Sequence, residues 1–139
     1  MRILAAILFV LSLSTSCIAQ DDHEKDIKAA VKAAEKWLSL VDNGEYARSW
    51  EESARFFQTN MTQEIWEKAL TGFLPGFGEM KQRKVSKSSY LTKMPGGPDG
   101  EYVMIRFETD YANKKAAIET VTPKKEEDGK WRVCGYFIK

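Results

Sequence analysis

From Pro98 to Lys139 the chain reads PDGEYVMIRFETDYANKKAAIETVTPKKEEDGKWRVCGYFIK, and turn-forming residues cut this run into three segments whose apolar positions alternate sides. Over Glu101–Asp110, Val103, Ile105 and Phe107 fall on one side, and Tyr102, Met104, Arg106 and Glu108 on the other. A period of two with one apolar side predicts an antiparallel strand covered on a single face. Asn113 and Lys114 mark the next reversal, Ala116–Thr122 returns as a β-branched strand that Pro123 stops, and Asp128-Gly129 turns the chain into a last strand over Trp131–Ile138. A less regular first strand precedes them over Val85–Met94, closed by the turn PGGPDG at Pro95–Gly100.

Upstream the apolar period lengthens to three and four. Ile27, Ala30, Val31, Ala34, Trp37, Leu38 and Val41 lie on one stripe of a helix that Asn43 and Gly44 end. Tyr46, Trp50, Ala54 and Phe57 mark a second helix. Thr62 is the expected N-cap of a third, with Ile65, Ala69, Leu70 and Phe73 as its buried face and Pro75-Gly76 ending or kinking it. Helices first and meander after predict an α+β domain, three helices packed on one face of a curved four-stranded antiparallel sheet, of the cystatin-like or nuclear-transport-factor-like kind.

The N-terminus reads as an export signal over residues 1–19: Met1-Arg2, an apolar run Ile3–Leu13, then small residues to Ala19. The run is shorter than the roughly 20 apolar residues of a transmembrane helix, and Gln20 onward is polar, so the mature single domain, residues 20–139, is expected outside the cytoplasm, in the periplasm or the medium. Two processing routes compete. Cys17-Ile18-Ala19 suits ordinary cleavage, whereas Ser14-Thr15-Ser16-Cys17 approximates a lipoprotein box that would lipidate Cys17 and anchor the domain to the outer membrane.

Composition then excludes several chemistries. Losing Arg2 with the leader brings the 21 basic residues level with the 20 acidic ones, so no net field draws a polyanion and nucleic acid is not an expected partner. The local charge runs, Lys81-Arg83-Lys84-Lys87 and Lys124-Lys125 before Glu126-Glu127-Asp128, read as solvated faces or turns. His23 is the one histidine, in the polar leader, so no histidine-based triad is expected in the domain. One histidine and one mature cysteine supply no transition-metal site, and no metal or other cofactor is expected. Cys134 reads as a packed strand thiol.

Two sets of candidates remain. Trp37, Trp50, Phe57, Trp66 and Phe73 recur at helical spacing and are core residues first, with a ligand pocket between helices and sheet as their second use. Glu108, Asp110 and Glu119, with Tyr102 and Tyr111, are the acid-base candidates. A two-residue turn centred on Asn113-Lys114 would set Glu108 opposite Glu119, and two close carboxylates raise one pKa as a general acid requires. The plainer expectation is that both face water, offset by Arg106 and nearby lysines.

The strings WLSLVDNGEY over Trp37–Tyr46 with Ser49 and Trp50, PDGEYV, YANKKAAIETVTP and GKWRVCGYFIK fall in the order of a known family, and the chain resembles the bacterial domain of unknown function 4019 over nearly all its mature length. The resemblance implies an exported bacterial domain of this length and carries no activity, ligand or catalytic residue. The expected function is a non-catalytic cell-envelope domain binding a small apolar molecule or a protein partner. The alternative is a nuclear-transport-factor-like enzyme using a buried carboxylate and tyrosines, and a third is an interaction module acting through an exposed strand edge.

Overall fold

A computed structural model describes residues 23–139, and the leader and Cys17 lie outside them. Helix α1 (Glu24–Asp42) buries Ala30, Ala34, Trp37, Leu38, Leu40 and Val41, the stripe that its spacing dictates. Gly44, at φ 75°, turns the chain out of it. His23 belongs to the domain rather than to a polar leader: it precedes α1 and stacks on Tyr90 at 3.7 Å between ring centres.

The expected second helix is two short ones, α2 (Tyr46–Glu51) and α3 (Arg55–Asn60). The reason is a competing acceptor. The Ala54 amide donates to the Val133 carbonyl of the last strand at 2.8 Å, which diverts it from the helical ladder, and Ala54 takes extended backbone angles. Among the described residues four helices therefore stand where periodicity alone shows three.

Helix α4 (Gln63–Phe77) starts as expected, Thr62 Oγ1 accepting from the Ile65 amide. It continues through Pro75 and ends at Gly78, φ 76°. Its buried face differs from the expected one. Trp66, Leu70 and Leu74 point inward, while Ile65 is 57% and Phe73 39% exposed. The Trp66 indole N–H donates to Ser49 Oγ at 2.9 Å, and that inward hydrogen bond fixes the rotation of the helix about its axis.

Four strands follow: β1 (Met80–Leu91), β2 (Tyr102–Tyr111), β3 (Lys114–Lys125) and β4 (Trp131–Ile138). They form one open antiparallel sheet in the order β1-β2-β3-β4. Pro123 does not stop β3; a register irregularity at Thr122/Pro123 lets pairing continue past the missing donor. The inner face presents Val103, Ile105, Phe107, Val121 and Val133, and these join α1 and α4 residues in one core. Burying each such side chain is worth about 1.5–3 kcal/mol.

Candidate functional site

The β2–β3 turn decides where the carboxylates go. Its two central residues are Ala112 and Asn113, with Tyr111 paired to Lys114, and an irregularity follows at which Ala116 takes φ 50°. Asp110 Oδ1 accepts the Ala116 amide at 2.8 Å and holds that kink. Downstream the register runs Thr109↔Ala117, Phe107↔Glu119 and Glu108↔Ile118. The candidate Glu108–Glu119 pair does not form, and the plainer expectation that both face water holds for Glu108 but not for Glu119, which is buried. A slip of one residue reverses a side chain's face, so Glu119 points into the core and Glu108 outward.

Glu119 is fully buried, and its carboxylate accepts three hydrogen bonds. Arg83 Nε donates to Oε1 at 2.8 Å, Thr109 Oγ1 to Oε1 at 2.6 Å and Tyr136 OH to Oε2 at 2.7 Å. Arg83 in turn grips Asp42 with both terminal nitrogens, at 2.6 and 2.9 Å. One guanidinium, carried by the edge strand β1, thus joins the C-terminal end of α1 to β3 across β2, in the two-pronged geometry that makes arginine–carboxylate bonds strong. Burial works against the charge on Arg83, but the hydrogen bonds and charges of Asp42 and Glu119 outweigh it and hold its pKa above the ordinary arginine value. Burial, followed by the Glu119 charge, pushes the Tyr136 and Tyr111 phenols upward, so both stay protonated.

The aromatic candidates pack around this knot. Trp37 and Trp66 lie 5.8 Å apart and both contact Tyr136, while Phe57 meets Trp66 edge-on at 5.1 Å. Ser49 holds the two indoles: its carbonyl accepts Trp37 Nε1 at 2.7 Å and its hydroxyl accepts Trp66 Nε1. Trp50 donates to the Met61 carbonyl at 2.6 Å. Trp37, Phe57 and Trp66 belong to the core between helices and sheet, and Trp50 packs partly buried against it. Phe73 lies outside it, edge-on to Phe77 at 5.9 Å.

One cleft of about 110 Å³ opens at the end of the sandwich beside the knot. The loop after α4 and the β2–β3 hairpin shape it. Asn113 and Ala112 amides donate to the Phe77 and Glu79 carbonyls, both at 2.8 Å, and a Cβ at Gly78 would stand 3.0 Å from that of Ala112. Val41, Leu74, Pro75 and Met80 give the cleft apolar walls; Asp42, Tyr46 and Tyr111 give it polar ones. Two wider surface hollows, about 360 and 490 Å³, carry charged rims from Glu51, Glu52, Lys130, Lys124 and Asp128. Of the pocket candidates, only Trp37 borders either one.

The remaining candidates are scattered. Glu108 is half-exposed and 3.5 Å from Lys84. Tyr102 is buried, its hydroxyl donating to the Pro98 carbonyl. Cys134 is partly buried, and burial pushes its thiol up to about 12. Among the described residues, no cluster of three or more His, Cys, Asp or Glu is placed to hold a metal. No helix among them is long and apolar enough to cross a membrane. Arg83 and Asp42 carry the knot, yet neither stands out in the sequence: Arg83 sits in a basic run and Asp42 at a helix end. Only a correct β1–β2 register, Arg83↔Thr109, reveals the pairing.

A family model described as a protein of unknown function, DUF4019, matches residues 33–136. A search of curated proteins returned no match.

Proposed function

We propose, for a chain that belongs to the DUF4019 family, a non-catalytic binding role: an exported domain that engages a protein partner in the cell envelope. The observation that carries this reading is the saturated state of Glu119. A general acid or base must reach a substrate proton, but this carboxylate has no exposed surface, spends its oxygens on Arg83, Thr109 and Tyr136, and does not border the cleft. The packed tryptophans favour a protein over a small apolar ligand, since pockets for drug-sized molecules run to several hundred Å³ and are mostly apolar, whereas the cleft is about 110 Å³ and the two larger hollows are lined largely by charged side chains. The leader at residues 1–19 motivates the envelope location, with Cys17 as the anchor if it is lipidated.

The nuclear-transport-factor-like enzyme reading has one observation in its favour, a buried carboxylate flanked by Tyr136 and Tyr111. Native mass spectrometry of the protein purified from its own envelope separates the alternatives. The expected result is a mature chain held by a stoichiometric protein and carrying no small molecule. A stoichiometric retained hydrophobe overturns the protein-partner reading, and the same spectrum reports cleavage after Ala19 or a lipid on Cys17.

A further inference from the structure

We propose that the end cleft seats the side-chain ammonium of a lysine from the partner, which rests on the protein-binding reading above. The walls set the ligand's shape. Val41, Leu74, Pro75 and Met80 offer contact to an aliphatic stem. A cavity of about 150 Å³ holds one benzene, so the observed 110 Å³ suits a chain of about five heavy atoms.

The polar lining sets the charge. Asp42, Tyr46 and Tyr111 line the cleft and no basic side chain does. Behind Asp42, the two carboxylates Asp42 and Glu119 share the single guanidinium of Arg83, which leaves one formal negative charge uncompensated in the knot. Tyr111 and Tyr136 are protonated and so bring no formal charge of either sign, Tyr136 only donating its hydroxyl to Glu119. Besides Arg83, which bonds both Asp42 oxygens and stands 3.5 Å from the Tyr111 hydroxyl, Lys114 is a basic group at this end, over the Phe77 ring at 5.6 Å. An ammonium carries three donors and no acceptor; each Asp42 oxygen accepts one bond from Arg83 and keeps a lone pair for a second donor, and Tyr46 and Tyr111 line the same wall. The tyrosine rings add cation–π attraction. A carboxylate ligand would meet the same uncompensated negative charge, and a neutral alkyl chain would leave the Asp42 edge desolvated without gain.

The test is a titration of the purified mature protein with blocked lysine, N-acetyl-lysine-amide, followed by backbone and tyrosine NMR shifts. Blocked norleucine, of the same stem without the charge, runs in parallel. The expected result is saturable shifts at Tyr46, Leu74 and Tyr111 with lysine, about tenfold weaker with norleucine, and weakening as salt is added. Equal binding of the two, or no shift at these residues, overturns the proposal. D42N should abolish the preference for lysine. Because it also strips Arg83 of a partner, Y46F is the second variant: it should keep the wild-type spectrum elsewhere and lose affinity severalfold, and unchanged affinity counts against the site. Failure of lysine to bind while the envelope complex persists removes the anchor and leaves the protein-partner reading standing. Loss of the complex with lysine still bound overturns the partner as the source of the lysine.

Discussion

The two faces of the sheet treat the same chemical group in opposite ways. On the outer face Glu108 reaches Lys84 across 3.5 Å of solvated space, its side chain 44% exposed. On the inner face Glu119 has no exposure and collects a guanidinium and two hydroxyls. The difference teaches that a carboxylate's consequence depends on what would be left behind if it were removed. Water replaces Lys84's partner at little cost, whereas nothing inside the core replaces Arg83's.

The largest effect should therefore come from Glu119. E119L leaves Arg83 half-paired in the interior and should lower stability by about 3–5 kcal/mol, read as a fall in the urea midpoint. E108A should change it by no more than about 0.5 kcal/mol. Comparable losses at the two positions would break the contrast between the faces. R83M/E119L should recover part of the loss, because a packed apolar pair avoids the stranded charge.

Next in size is S49A, which orphans the Trp66 indole N–H and should cost about 1–3 kcal/mol. Tryptophan fluorescence would report the loosened packing before global unfolding. The register itself can be tested through Ala116. Its left-handed conformation, φ 50°, costs an alanine about 1 kcal/mol, so A116G should raise the midpoint by up to that amount and leave the Glu119 contacts unchanged.

The smallest effects concern pH. Cys134 has its thiol pushed from 9.0 up to about 12 by burial. A raised thiol pKa means the unfolded chain releases its proton first, so the contribution is fully present below pH 9 and is lost as pH rises toward 12. C134A should flatten stability over that window, and the wild-type thiol should alkylate slowly at pH 8 relative to the unfolded chain. Asp128 gives the opposite slope on the exposed side. Its hydrogen bond with Arg132, and then that with the Lys130 amide, hold its pKa at about 2, below 3.8. Its contribution is present above pH 4 and fades as pH falls through 2.

Much of this fold is legible as periodicity. The α1 stripe and the alternation of β2 are written in spacing alone, because each buries one continuous face. Two features are not. The break between α2 and α3 depends on the Val133 carbonyl reaching Ala54 from 79 positions away, and no local pattern encodes such an acceptor. The rotation of α4 depends on a hydroxyl from Ser49, so Ile65 and Phe73, apolar and correctly spaced, lie outside. For the candidate site, Glu119 is recognisable as a carboxylate in a strand, but its direction turns on whether the hairpin pivots about Ala112-Asn113 or one residue later. Arg83, 36 positions from Glu119 and 41 from Asp42, looks like one cation in a solvated run until the strands are paired.

The clasp around Arg83 draws on the end of the first helix, the first, second and third strands, and, through Tyr136, the last one. A growing chain consequently cannot close it until Tyr136 has been delivered. A chain cut short before Tyr136 would keep the four described helices and most of the meander yet hold Glu119 with one donor missing.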